Sequence, residues 1–221
     1  MLEKGYQIEV CRNCPNAVID VPAMVAAIEN ALAGLEIGPR LKEKTGGRLL
    51  HHQLFRVAVA GCPNSCSQPQ IKDFGVQGRA KPMITAAPCI QCRRCEAACL
   101  EEAVQVGDDG PTIAATRCVE CGQCARACPT GTIVTGVKGG LVMAGGKLGR
   151  HPQLARVIKE MATPEEAAQL AIRAAELYLN EGKPEERFGS ILNRLGWDII
   201  SAEGQGLPEP SASTAEEKLS P

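Results

Sequence analysis

Aromatic side chains are nearly missing, with one Trp, two Tyr and three Phe among 221 residues. Core packing is therefore expected to rest on aliphatic residues. An excess of charge is missing too. The net charge of −1 offers nucleic acid no electrostatic attraction, and none is expected as a partner. No apolar run approaches the ~20 residues of a membrane span. The opening stretch MLEKGYQIEV also lacks the apolar core of a secretory leader. These absences predict a chain that works in the cytoplasm, away from membranes.

Twelve cysteines stand out against that background. In a small secreted protein they would read as disulfides, whereas in a reducing compartment they read as metal ligands. The 23 glycines suggest tight turns and close approach of backbone to bound groups. The length suits one large domain or two small ones.

Local patterns divide the chain. Val21 to Leu35 has a helical apolar pattern, with Asp20 as N-cap and Pro22 in the first turn. Leu54 to Gly61 alternates and is rich in Val, which predicts a strand running into Cys62. Leu141 to Ala144 reads as a short buried strand before a glycine loop. Thr163-Pro164-Glu165-Glu166 is a capping box opening a helix over Ala167 to Asn180, with Gly182 placed to end it. A second helix is expected over Pro184 to Leu195, ending at Gly196. Residues 202–221, polar and rich in Pro and Ser, read as a disordered tail.

One pattern occurs twice. Cys89, Cys92, Cys95 and Cys99 are spaced C-x2-C-x2-C-x3-C, and Cys118, Cys121, Cys124 and Cys128 repeat it, followed by Pro129. Three thiolates two residues apart wrap one face of an iron–sulfur cubane, and in two-cluster ferredoxins the fourth cysteine of each run ligates the other cluster. The expected sets are thus Cys89, Cys92, Cys95 and Cys128 for one [4Fe–4S] cluster, and Cys118, Cys121, Cys124 and Cys99 for the other. Paired zinc sites favour C-x2-4-C units at longer separation and fit this run poorly.

The remaining four, Cys11, Cys14, Cys62 and Cys66, form C-x2-C and C-x3-C pairs. Spacing alone leaves a tetrahedral zinc and a third [4Fe–4S] cluster both open.

The residues around the second pair favour the cluster. Gly61-Cys62-Pro63-Asn64-Ser65-Cys66, followed by Asp73-Phe74-Gly75-Val76-Gln77-Gly78, resembles the GCPN-x-C…D-[IF]-G…G signature of the sulfite and nitrite reductase family. Gly145-Gly146-Lys147-Leu148-Gly149-Arg150 resembles its GGK-x-G-R loop, and Glu186-Arg187-Phe188-Gly189 to Gly196-Trp197 its ERFG…R-x-G-W helix. A two-cluster ferredoxin inserted here, introduced by Lys81-Pro82-Met83-Ile84, is similar to the subunits of dissimilatory sulfite reductases. In that family four cysteines hold a [4Fe–4S] cluster, one sulfur of which bridges to a siroheme iron. The resemblance therefore implies three [4Fe–4S] clusters, with Cys11, Cys14, Cys62 and Cys66 holding the third, and a siroheme beside it. Short versions resemble the low-molecular-weight siroheme sulfite reductases.

It also implies site residues. Asn64, Gly145, Gly146 and Gly149 match cofactor-binding positions, and Lys147 and Arg150 match catalytic cations. The eight carboxylates of a siroheme need many cations, and Arg40, Lys42, Lys44, Arg48, Arg56, Lys72, Arg79 and Lys81 are further candidates. His51-His52 reads as loop or surface. The family's first pair is usually C-x5-C; here Cys14 matches its second cysteine, leaving Cys11 as a displaced first ligand.

The expected fold is α+β, a sulfite/nitrite reductase-type half-module over 1–80 and 138–201 with a ferredoxin-like domain over 81–137. Electrons from a donor protein or subunit would pass through the ferredoxin clusters to the third, for reduction of sulfite or nitrite. The alternative is a non-catalytic electron-transfer subunit of a larger complex without siroheme. Complete family members have a preceding pseudo-symmetric half, so a second copy or a different subunit is expected to cover the exposed face.

Overall fold

Asp20 caps the first helix as the sequence suggests. Its carboxylate accepts the Ala23 N–H at 2.9 Å, and Pro22 occupies a first-turn position whose N–H has no helical acceptor. This helix, α1 (Val21–Ala33), turns Met24, Ile28 and Leu32 inward. The structure, a computed structural model, describes residues 3–12 and 14–200, and the tail expected at 202–221 lies outside the described residues.

The expected Val-rich strand is β2 (Phe55–Ala60), and every residue except Arg56 is buried. The alternation read from its sequence leaves no exposed face, since consecutive residues from Val57 to Ala60 are all buried and both faces of β2 are therefore covered. The strands are β1 (Tyr6–Val10), β2, β3 (Phe74–Ile84), β6 (Ile133–Ala144) and β7 (Arg156–Ala162), in that spatial order. The first three are parallel, whereas β6 runs antiparallel to β3, and β7 to β6. Parallel neighbours require crossovers, and α1 with α2 (Ile37–Lys44) supplies the one from β1 to β2. Helix α2 escapes the sequence pattern because Gly38-Pro39 lies in it. Gly38 packs against the Glu3 carbonyl, where a side chain would not fit.

Helix α5 (Pro164–Glu181) packs on α1, and together they cover the sheet. Helix α6 (Phe188–Leu195) starts later than the sequence suggests, because Glu185 takes a left-handed conformation and Arg187 becomes the N-cap. Scarcity does not keep rings out of the core. Phe55, Phe74 and Phe188 are fully buried, and Phe55, Tyr178 and Phe188 lie within 5.6–6.4 Å of one another.

The capping box of α5 is complete. Thr163 Oγ1 accepts the Glu166 N–H at 3.2 Å, and Glu166 Oε2 accepts the Thr163 N–H at 2.9 Å. Replacing Thr163 with Ala is expected to cost about 1 kcal/mol, read by thermal denaturation. The Thr163 N–H, with help from Lys159, holds the Glu166 carboxyl below its ordinary value of 4.5. A depressed carboxyl stabilises the fold above its unfolded pKa, and that contribution is lost as pH falls below 4.5 toward the folded value. A Glu166→Gln variant should lose this acid dependence; an unchanged pH profile would contradict the assignment.

The short strand expected at Leu141 to Ala144 is the end of a much longer one. Strands β3 and β6 pair from Phe74↔Ala144 out to Ile84↔Ile133, with a bulge between Ala80 and Pro82. Gly136, Gly139 and Gly140 lie within β6, and at Gly139 the Met161 backbone passes too close for a side chain. The ribbon carries residues 85–132 as a small lobe. In it are α3 (Arg94–Ala97), the hairpin β4 (Val104–Gly107) and β5 (Gly110–Ile113), and α4 (Gln123–Ala127). Its own buried cluster is Cys95, Val104, Val106, Cys124 and Ile133. Among the described residues no single helix is long and apolar enough to cross a membrane.

Candidate functional site

The two cysteine runs repeat in conformation as well as spacing. Gln91 and Glu120 are left-handed (φ 53° and 57°), as are Arg93 and Gly122 (55° and 70°) and Glu102 and Gly131 (49° and 72°). Each pair holds the same place relative to its cysteines. Four of the six are not glycine, and left-handed backbone there costs ~1 kcal/mol or more per residue. Such strain, repeated in register, gives the two runs the same curl, with Cys95 and Cys124 buried at matching places.

Backbone N–H groups point at the sulfurs. Gln91 donates to Cys89 at 3.4 Å, Ala103 to Cys99 at 3.2 Å and Ile133 to Cys128 at 3.4 Å. The thiols also sense one another. Burial pushes Cys95 up, and the charges of Cys128 and Cys89 add to it. Burial raises Cys118, and it is the main reason that Cys124 is pushed up to about 11; the charges of Cys121 and Cys99 contribute to both shifts. Cys128 goes the other way. Burial is outweighed by hydrogen bonds from the Ile133 N–H and the Thr130 hydroxyl, which bring it to about 7. Cys99 therefore lies beside the second run and Cys128 beside the first.

The outer four cysteines come from three places. Cys11 follows β1, where its N–H donates to the Val59 carbonyl at 3.1 Å. Cys14 is three residues on, and Cys62 and Cys66 lie on the loop leaving β2. All four line one cavity of about 350 Å³ with Gly61 and Ser65. Gly61 donates its N–H to Cys11 at 3.2 Å and Asn16 donates to Cys14 at 3.4 Å. Cys62 is raised by burial first, with the charges of Cys14, Cys66 and Cys11 adding to it. The displaced Cys11 thus reaches the same set as Cys62. Among the described residues no three His, Cys, Asp or Glu side chains close around a single ion; the outer four surround a cavity.

The glycine-rich signature beside them is mostly packing. Gly78 faces the Gly61 carbonyl and Gly75 the Pro69 carbonyl, too close for side chains. Asp73 is fully buried and accepts from the Arg56 N–H and from Arg187. Asn64 lies on the Cys62 loop, and its N–H lowers the Cys62 thiol.

Four soft thiols with N–H donors around one cavity suit an iron–sulfur cluster. A siroheme fits these residues poorly. A larger cavity of about 490 Å³ adjoins Cys11 and Cys14, but its charged lining is Arg12 against Asp20 and Glu29. None of the ten cations named from the sequence lines either cavity. Several are engaged elsewhere: Arg40 with Asn180 at 2.9 Å, Lys44 with the Gly182 carbonyl at 3.3 Å, and Lys72 with Glu9 at 2.6 Å. Lys147 donates to Ser190 of α6 at 2.7 Å. Its loop leaves β6 beside Phe74 of β3, whereas Cys62 lies beyond the Ala60↔Gln77 pair farther along the sheet. Gly145, Gly146, Lys147, Gly149 and Arg150 are therefore not brought to the outer thiols. His51 and His52 are exposed on a 3₁₀ turn, His51 against Arg56 at 3.1 Å.

Residues to which the sequence assigned no such role join the sets. Gln77 links the Cys62 loop to Arg79, which donates to the Val119 carbonyl at 2.7 Å. Arg126 of α4 donates to the carbonyls of Pro15 at 2.8 Å and Ala17 at 3.1 Å. Arg126 lies inside a cysteine run, and no local pattern marks it.

The family model for the nitrite and sulphite reductase 4Fe-4S domain matches residues 8–205. A coenzyme F420-dependent sulfite reductase of Methanocaldococcus jannaschii is 30% identical over 187 residues, covering 84% of this chain and 28% of that protein. A subunit of the anaerobic sulfite reductase of Salmonella typhimurium is 40% identical over 50 residues, 23% of this chain and 15% of that one. The chain thus spans less than a third of the length of these curated relatives. Among solved structures, dissimilatory sulfite reductase I aligns over 97% of this chain and 55% of that one, at 17% identity and a TM-score of 0.55, a likeness of fold.

Proposed function

Since the chain belongs to the nitrite and sulphite reductase 4Fe-4S domain family, we propose that it is an iron–sulfur electron relay with three [4Fe–4S] sites. Residues 81–137 form the ferredoxin-type domain, inserted into a reductase-type domain of residues 1–80 and 138–201. Cys89, Cys92, Cys95 and Cys128 hold one cluster; Cys118, Cys121, Cys124 and Cys99 hold the second. Cys11, Cys14, Cys62 and Cys66 hold the third.

The observation that carries this reading is the docking of the second run on the outer set. Ala80 donates its N–H to the Glu120 carbonyl at 2.7 Å, between Cys118 and Cys121, and Arg126 binds the chain just after Cys14. The second set is therefore the middle of the row. The first set lies outermost, with Cys92 exposed and Ile90 and Leu100 open to solvent around it, a surface on which a donor protein can dock. When bound, the clusters supply one-electron transfer, which no side chain here provides. The chain's part is to hold the thiolates, direct N–H groups at their sulfurs and exclude water from Cys95 and Cys124.

Electrons leaving the outer set go to a sulfite- or nitrite-reducing centre on a partner subunit. The cation-poor lining beside Cys11 supports this over a siroheme held by this chain. A relative named as a subunit of an anaerobic sulfite reductase supports a hetero-complex.

Anaerobically purified protein tests the reading. About twelve irons per chain, no zinc, and a broad visible shoulder are expected. About eight irons with one zinc would remove the third cluster. A Soret band with a red-end companion would place a siroheme in the chain and overturn the relay-only reading.

A further inference from the structure

We infer that Arg79 and Arg126 form a reciprocal clamp across the neck of the small lobe, and that as positioning residues they set the electronic coupling between the second thiol set and the outer one. This rests on the relay reading above.

The two arginines belong to opposite sides and reach in opposite directions. Arg79 is on β3 and donates to the Val119 carbonyl at 2.7 Å, between Cys118 and Cys121. Its Nε is held by Gln77 at 2.8 Å, and buried Gln77 donates to the Pro63 carbonyl at 3.1 Å and to Ser65, both on the Cys62–Cys66 loop. A hydrogen-bonded path therefore runs from one cysteine loop to the other. Arg126 is on α4, between Cys124 and Cys128. It donates to the carbonyls of Pro15 at 2.8 Å, Ala17 at 3.1 Å and Asn16 at 3.4 Å, while Gln123 bonds the Asn16 side chain at 3.2 Å.

The lobe is already tied to the sheet by the β3–β6 ribbon, so neither arginine is needed to connect it. The ribbon carries its bulge between Ala80 and Pro82, at the neck, where a two-stranded connection bends most easily. A cleft of about 410 Å³, lined by Val18, Ala80, Gly122, Arg126 and Thr135, opens there and leaves space for the lobe to rock. Charge-assisted hydrogen bonds on both sides of this hinge hold the lobe in one position. Electron tunnelling falls exponentially with separation, so the clamp acts on transfer without touching a ligand. The two guanidinium charges also favour added electrons on the thiolate sets beside them, raising their potentials.

The test uses anaerobic holoprotein and an Arg79→Gln/Arg126→Gln double variant. Iron content, the EPR spectrum of the fully reduced protein and cluster midpoint potentials are read together. The expected double variant keeps its iron and the splitting between the two lobe clusters, loses the spin–spin splitting between the second cluster and the outer one, and shows lowered potentials at those two sites. Arg126→Lys, which keeps charge but not the three-carbonyl fork, should keep its potentials and lose part of the splitting. If the double variant loses iron, this Lys variant carries the comparison alone. Wild-type splitting and potentials in an iron-replete variant would overturn the clamp. Wild-type protein without clusters would instead overturn the relay reading on which it rests.

Discussion

A Cys62→Ser protein should lose one third of its iron, about four of about twelve atoms per chain, and keep the rest. Burial raises the Cys62 thiol first, and the charges of Cys14, Cys66 and Cys11 add to it, so it faces all three of its partners. Serine cannot replace it, because a hydroxyl is a harder donor and stays protonated where a thiol in contact with metal does not. The eight cysteines proposed to hold the other two clusters lie in a lobe with its own buried cluster around Cys95, Val104, Val106, Cys124 and Ile133. That lobe meets the outer set through hydrogen bonds, not shared ligands. The reduced EPR spectrum should therefore simplify to two interacting clusters, and electron delivery from the donor to an acceptor beyond the outer set should fall to background. Loss of all iron together would show that the ligand partition is wrong. Undiminished iron would show that the outer four do not hold a cluster.

Replacing Asp73 with Ala should destabilise the fold by about 3–5 kcal/mol, the usual cost of removing one partner from a buried ion pair. In a chain of this length that corresponds to a drop of roughly 6–20 °C in Tm. Asp73 is fully buried, and burial pushes its carboxyl up against the opposing pull of Arg187 and Arg56. It accepts the Arg56 N–H of β2 at 2.8 Å and bonds Arg187, the N-cap of α6, while its carbonyl accepts the Gly145 N–H at 2.8 Å. One residue thus joins β2, the start of β3, the loop after β6 and α6. The surroundings have little to substitute for it, since Arg56 Nε and Arg187 Nε are already buried without partners. Asp73→Asn keeps an acceptor for the Arg56 N–H and should cost less. A Tm change under about 2 °C for the Ala variant would reduce Asp73 to an incidental contact.

Asp73 also shows how a motif can be legible while its role is not. The D-[IF]-G signature points to a functional neighbourhood, yet Asp73 is a structural clasp and Gly75 and Gly78 are glycines because backbone passes against them. The GGK-x-G-R loop is a stronger case. Its sequence suggests cations at a cofactor, but the antiparallel turn of β6 carries Lys147 to Ser190, away from the outer thiols. The helix starts at Asp20 and Thr163 were readable because a cap is decided within four residues. Strands β1, β7 and most of β6 were not, because their pairing is made by residues far away in the chain.

By itself, then, the sequence determined the twelve thiols, their spacing, the doubled run and the family, because ligand spacing and capping are short-range chemistry. Only the tertiary structure decided which cysteine loops meet. Strand register brings Cys11 to Cys62, and the long ribbon folds the second run back onto the Cys14 loop. It also decided that none of the ten named cations lines the cavities at the outer thiols, where Arg12 is opposed by Asp20 and Glu29. Both outcomes depend on long-range packing, which no local pattern encodes.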